Sequence, residues 1–144
     1  MISTKGRYAL RLMIEVALYE ANGYVSLKDS SNRENISIKY LEQVASLLTK
    51  SNLLLSYRGN NGGYKLARKP REYKVGEILR AAEGSLAPVA CLQCENNYCD
   101  RKDTCTTLEF WQGFNEVINN YVDNTTLEDL VDKAKKKLEN NYSI

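Results

Sequence analysis

All four cysteines of the chain, Cys91, Cys94, Cys99 and Cys105, lie in the single stretch CLQCENNYCDRKDTC, and the 144 residues include no histidine. Thiolates are soft ligands, so such a cluster selects zinc or an iron–sulfur centre over magnesium or calcium. Four thiols could also form disulfides or act as a thiol–disulfide switch. The N-terminal segment MISTKGRYALRLMIEVALYEANG carries Lys5, Arg7, Arg11 and Glu15 within its apolar pattern. That excludes a signal peptide, and no other stretch approaches the ~20 uninterrupted apolar residues of a membrane span. The chain is therefore expected to be cytoplasmic, where thiols stay reduced, which argues against a disulfide staple. Spacing alone leaves zinc and iron–sulfur open, because Cys-x2-Cys is a common zinc half-site. A structural zinc site usually has a second close pair, however, and Cys99 and Cys105 are well separated.

The loop must be held by something, and the charge distribution indicates what surrounds it. Residues 1–70 carry 11 Lys/Arg against 5 Asp/Glu, a net of +6, whereas residues 71–144 carry 9 against 13, a net of −4. A basic half suits a polyanionic partner. Within it, Thr4 is expected to cap a helix reaching about Ala21, with Ala9, Met13, Val16, Ala17 and Glu20 on one stripe. Asn22-Gly23 ends it. Ser26, with Asp29 three residues on, opens a short helix to about Glu34. Asn35 supplies a turn, and Ser37 caps a third helix that buries Leu41, Val44, Ala45 and Leu48. Lys39, Gln43 and Lys50 then face outward, with Tyr40 and Glu42 at the edges.

Two β-prone runs, Leu53–Tyr57 and Tyr64–Ala67, flank RGNNGG and form a hairpin with a basic tip. A short helix, VGEILRAAEG, follows Pro70. Helix, short helix, turn, helix and hairpin is the order of a winged helix-turn-helix, whose second motif helix enters the DNA major groove. Tyr40, Glu42 and Gln43 are candidate base contacts, with Ser37 and Lys39 near the backbone. Gln suits adenine, and Glu can accept from the cytosine amino group. Arg58, with Gly59, Gly62 and Gly63, is a candidate minor-groove or phosphate contact, and Thr4, Lys5 and Arg7 are candidate phosphate contacts.

Beyond the cysteine loop, Thr106 and Glu109 suggest a capping box for a long helix. Trp111, Phe114, Ile118 and Tyr121 follow a coiled-coil-like spacing on it. This face could fold onto the head. Pairing with a second subunit is preferred, because palindromic DNA is read by two-fold symmetric proteins. Thr125 with Glu128 opens a last helix ending in the exposed KAKKKLENN. The expected fold is mainly α with a small β-hairpin wing. A winged helix-turn-helix head spans 1–84, the cysteine-rich loop 85–105, the dimerisation helix 106–124, and the C-terminal helix and tail 125–144. Nothing points to an enzyme or a small-molecule substrate: there is no histidine base, no phosphate-cradling glycine loop and no second cofactor motif.

The motifs STKGRYALRLMIEVAL, ISIKYLEQVASLLTKSNLLLSYRGNNGGYKLARKP, VGEILRAAEG, APVAC, CDRKDTCTTLEFW and TTLEDLV occur in this order. Together they closely resemble the IscR-type iron–sulfur cluster transcriptional regulators, of the same superfamily as CymR and NsrR. The resemblance covers nearly the whole chain. It implies a homodimer that binds double-stranded promoter DNA and carries one iron–sulfur cluster per subunit, 2Fe-2S in preference to 4Fe-4S. CymR-type relatives generally lack the cysteines, and TKGRYALR resembles the IscR branch more than the nitric oxide sensors. By family position, Cys91, Cys99 and Cys105 are ligands. Leu108 stands where a ligating histidine is often found, and Cys94 is the nearest thiol to replace it. The alternative fourth ligand is an acidic residue or one from the partner subunit. Ser30 is a second departure, where an apolar residue is usual. The resemblance links Glu42 to discrimination between promoter classes; otherwise it is a surface charge. The expected function is control of promoters, such as those of iron–sulfur biogenesis genes, by cluster status. The alternatives are a nitric oxide or thiol redox-responsive repressor and a zinc-stabilised DNA-binding protein. Relatives form complexes with enzymes, so an enzyme partner stays open.

Overall fold

The computed structural model describes residues 1–142. Helix α1 (Thr4–Tyr19) continues into a 3-10 turn (Glu20–Asn22) and stops at Gly23, whose φ of 118° suits glycine. Its cap is Ser3 and not Thr4: the Ser3 hydroxyl accepts from the Lys5 amide. Helix α2 (Leu27–Glu34) is capped by Ser26, which accepts from the Asp29 amide. Asn35 then turns the chain in the left-handed region, at φ 54° and ψ 47°, a conformation asparagine tolerates well. Ser37 caps helix α3 (Ile38–Lys50), accepting from the Tyr40 amide. The α2–turn–α3 unit is thus set by two serine caps and one left-handed asparagine.

Strands β1 (Leu54–Tyr57) and β2 (Gly63–Leu66) form an antiparallel hairpin with Leu54 opposite Leu66 and Tyr57 opposite Gly63. Val25 adds a bridge to Tyr64, tying the hairpin to the chain just before α2. Helix α4 (Val75–Glu83) returns to pack along α1. Helices α5 (Leu108–Asp123) and α6 (Leu127–Tyr142) complete the chain.

One core joins Leu12, Met13 and Val16 of α1, Leu41, Val44, Ala45 and Leu48 of α3, Leu54 and Leu66 of the wing, and Ile78 and Ala82 of α4. The four α3 residues expected to be buried all are. Leu127 and Val131 of α6 enter the same core, so the last helix packs on the head. Tyr73 is fully buried: its hydroxyl donates to the Leu53 carbonyl at 2.8 Å and accepts from the Ala67 and Arg68 amides. It fixes the end of the wing against the α3–β1 junction. Ser30 is also buried, and its hydroxyl has no hydrogen bond of good geometry although it neighbours the Glu15 carboxylate. Burial pushes the Glu15 carboxyl up, and Arg33, at 2.8 Å, opposes that shift.

Of the two expected capping boxes, one is absent and the other is shifted by a residue. Helix α5 starts at Leu108 with Thr107 at its cap position and no side-chain cap, so Thr106 and Glu109 do not form the box. At α6 the reciprocal pair is Thr126 with Asp129, one residue beyond Thr125 and Glu128. Asp129 reaches back to an amide that the Glu128 side chain does not engage. The KAKKKLENN run is helical and largely exposed.

Candidate DNA interface and thiol site

An open cleft is lined by Lys5 of α1 and by Lys39, Glu42, Gln43, Ser46, Leu47 and Lys50 of α3. Burying Leu41, Val44, Ala45 and Leu48 inward forces these positions out, because they occupy the opposite helical face. Lys5, Lys39, Glu42 and Gln43 are thereby brought together as the sequence suggests; Ser46 and Lys50 extend the same face. Tyr40 is turned differently. Its ring meets Tyr8 edge-to-face at 5.2 Å, with Arg11 over Tyr8, so it packs at the α1–α3 seam, half-buried. Thr4 and Arg7 are exposed on the first turns of α1, and Ser37 is exposed at the start of α3.

The wing lies beside this face. Tyr64 of β2 is raised in pKa by burial and by the Glu42 carboxylate, with Arg58 acting in the opposite direction, so α3 and the wing tip share one electrostatic neighbourhood. Arg58 is exposed, followed by Gly59 at φ 138°. Gly62 and Gly63 serve the wing's own closure: a Cβ at Gly62 would strike the Tyr57 carbonyl, and one at Gly63 the Val25 carbonyl. Sequence reasoning missed the outer face of the wing. There Tyr24 stacks on Tyr57 at 5.0 Å, and Lys65 sits 4.7 Å above the Tyr24 ring. Their signal was the density of aromatic and basic residues near the hairpin, but Tyr24 is distant in sequence from its partners.

Cys91, Cys94 and Cys99 line one pocket of about 300 Å³ together with Ala90, Asn96 and Tyr98. Cys105 does not line it. It lies at the approach to α5 beside Arg101, Thr104, Thr106 and Thr107. Among the described residues no three ligating side chains stand close enough to hold one metal ion. The four-thiol set expected from sequence is therefore not gathered into one metal site among the described residues. Between Cys99 and Cys105 the chain makes local turns, in which the Lys102 amide donates to the Cys99 carbonyl and the Thr104 amide to the Arg101 carbonyl. Donor chemistry nonetheless fits a thiolate-bound centre. Cys94, Cys99 and Cys105 are exposed and Cys91 is half-buried, all four as free thiols. The Cys105 thiol is lowered in pKa, first by the Thr107 hydroxyl and then by the Thr107 and Leu108 backbone amides at the head of α5. Leu108 contributes its amide there and no ligand.

Helix α5 rests on α4. Ile118 and Val122 pack on Val75, Leu79 and Leu86, and Arg80 makes a two-pronged pair with Asp123 at 2.7 and 3.0 Å. Of the four seam residues, Ile118 is engaged with α4 and Trp111 is half-buried. Phe114 and Tyr121 are exposed, at 46% and 72%, in one stripe with Phe110 and Val117. A groove of about 450 Å³ runs alongside, lined by Met1, Ile2, Leu79, Leu86, Pro88, Trp111, Phe114, Ile118 and Val122. No helix among the described residues is long and apolar enough to cross a membrane.

A helical head with a two-stranded wing, followed by a thiol-bearing loop and a long helix, defines a winged helix-turn-helix regulator. Residues 2–133 match the Rrf2 family, described as iron-dependent transcriptional regulators, and the chain belongs to that family. It is 38% identical over 134 residues to the HTH-type transcriptional regulator IscR of Pectobacterium atrosepticum, covering 93% of this chain and 80% of that one. The IscR of Serratia proteamaculans is 39% identical over 130 residues, covering 90% and 78%. Among solved structures, T. potens IscR superposes with a TM-score of 0.77 at 36% identity, covering 95% of this chain and 90% of that one. CymR, the global cysteine regulator of B. subtilis, superposes with a TM-score of 0.75 at 37% identity, covering 92% and 97%.

Proposed function

We propose that this Rrf2-family regulator binds double-stranded promoter DNA as a homodimer and that an iron–sulfur cluster on its cysteine loop sets which promoters it binds. The observation that carries the DNA-binding part is the cleft that unites Lys5 of α1 with Lys39, Glu42, Gln43 and Lys50 of α3 beside the wing. A helix presented this way fits the major groove, with Gln43 suited to adenine and Glu42 to the cytosine amino group. Tyr40, anchored on Tyr8, supplies a base-edge contact at the seam. Thr4, Lys5, Arg7, Ser37 and Lys39 hold phosphates, and Arg58 with Gly59, Gly62 and Gly63 carries the wing to the neighbouring groove or backbone. The Phe110, Phe114, Val117 and Tyr121 stripe, with Trp111 beside it, is the face that a second copy would cover.

Cys91, Cys94, Cys99 and Cys105 would hold the cluster once the loop draws the four thiols together; three of them already line one pocket. The cluster would supply a reversible, redox- and iron-dependent link between the loop and α5. A two-iron cluster is preferred to a four-iron one, and the site of action is the cytoplasm. The chain acts by binding and not by catalysis.

Titration of a fragment from the promoter of its own gene tests the DNA reading. Phosphate contacts should make affinity fall steeply as salt rises; absence of binding at low salt would sink it. Protein purified without oxygen should be brown and contain iron and acid-labile sulfide. Colourless protein with stoichiometric zinc would instead establish a zinc-stabilised regulator. The four free thiols favour one second reading, a metal-free thiol-responsive regulator. Colourless, zinc-free protein whose DNA affinity follows thiol oxidation would establish that.

A further inference from the structure

The start of α1 is capped by a side chain from another helix. Glu83, the last residue of α4, places its Oε1 where three donors converge: the Ser3 amide at 2.8 Å, the Ser3 hydroxyl at 2.7 Å and the Gly6 amide at 2.9 Å. A carboxylate there satisfies amides that a helix start leaves unpaired and meets the positive end of the helix dipole. Gly6 makes the approach possible, because a Cβ on it would lie 2.7 Å from the same Oε1. Burial alone would raise the Glu83 carboxyl. The Ser3 and Gly6 bonds, with the charge of Lys5, bring it below its usual value instead. Lys5 is the residue of α1 that lines the DNA-facing cleft with α3.

Glu83 also stands at the root of the cysteine loop. Gly84 follows at φ 82°, and the chain runs through buried Leu86 and half-buried Pro88 to Cys91. Leu86 and Pro88 share the apolar groove with Met1 and Ile2, the residues just before Ser3, and with Trp111 and Ile118 of α5. Loop root, α5 and the N-terminal segment therefore meet at one place, joined by a groove on one side and by Glu83 on the other.

We propose that Glu83 is the positioning residue through which the state of the cysteine loop is passed to Lys5 and the DNA-contacting start of α1. The inference rests on the DNA-binding and cluster reading given above. A shift of α4's end or of the loop root moves the Oε1 that three donors share, and with it the first turn of α1 and its phosphate contacts. Thr4 and Arg7 sit on that same turn.

The test compares wild-type protein with Glu83→Ala, Glu83→Gln and Gly6→Ala. Each is reconstituted anaerobically with ferrous iron and sulfide, and each is also prepared without the cluster. The quantity read is the ratio of affinities of the two forms for the promoter fragment. Iron and sulfide content and unfolding midpoint are recorded alongside. Coupling between sites is typically about 5- to 150-fold. Glu83→Ala should retain its cluster and its fold, yet bring the ratio close to one. Glu83→Gln keeps an oxygen acceptor at the same place and should preserve most of the ratio. Gly6→Ala leaves Glu83 in the chain but displaces its carboxylate, and should behave like Glu83→Ala. Amide exchange over residues 3–7 should differ between loaded and unloaded wild type and become alike in Glu83→Ala. A wild-type ratio in Glu83→Ala or in Gly6→Ala would overturn the proposal while leaving the DNA and cluster reading intact. A wild-type protein that binds DNA equally in both forms would overturn both.

Discussion

Helix α3 and the cysteine loop are built on opposite plans. Helix α3 buries Leu41, Val44, Ala45 and Leu48, is capped by Ser37, and is locked at its far end by Tyr73 holding the Leu53 carbonyl. The loop from Pro88 to Cys105 buries no side chain completely, and its hydrogen bonds, such as Cys99 to the Asn97 side chain, are all local. On the proposed function the difference has a reason: a surface that reads DNA would have to keep its shape, so its energy would come from packing. A loop that gathers thiols round a cofactor would have to close, and would gain its order from what it binds. The two regions meet at α4, which packs on α1 and ends in Glu83 at the loop's root.

The contrast makes a ranked set of expectations for the protein without cofactor. Leu48→Ala removes a fully buried side chain from the inner face of α3 and should cost about 4 kcal/mol in chemical denaturation. Arg33→Ala leaves the Glu15 carboxylate, only 4% exposed, without its cation and should cost about 3 kcal/mol. Glu15→Gln should cost less, because it removes the charge along with the pair. Tyr73→Phe strips one hydroxyl from three backbone partners and should cost about 2 kcal/mol, with faster amide exchange at Ala67 and Arg68. Cys94→Ala, in the loop, should change stability by less than about 0.5 kcal/mol. It should nevertheless reduce bound iron and sulfide sharply after reconstitution. A large stability loss at Cys94 in the unloaded protein would break the contrast, and so would a small one at Leu48.

Most of the head was legible because local rules determine it. Apolar spacing revealed the buried face of α3, Ser26 and Ser37 announced two helix starts, and Asn35 the turn between them. The glycines of RGNNGG marked the wing. Where the reading slipped, the reason is specific. At Ser3-Thr4 and Thr125-Thr126 two adjacent hydroxyl residues compete for one cap, and only the three-dimensional path of the chain decides between them; at Thr106-Thr107 neither hydroxyl caps α5. The long-range features had no local signature: Glu83 on α1, Tyr73 across the wing, and Tyr24 on Tyr57 join residues far apart in sequence or depend on the folded topology. On α5, spacing suggested a seam through Trp111, Phe114, Ile118 and Tyr121. Contact with α4 takes Ile118 and leaves Phe110, Phe114, Val117 and Tyr121 outward. In the loop, counting cysteines could not reveal that Cys105 lies outside the pocket lined by the other three.

The most direct test of the account is a footprint of the loaded and unloaded protein across the promoter of its own gene. The account predicts two different patterns of protection at equal occupancy, since filling the loop changes how the start of α1 and the recognition helix meet DNA. Identical footprints, with the cluster verified by iron and sulfide content in the loaded sample, would contradict it.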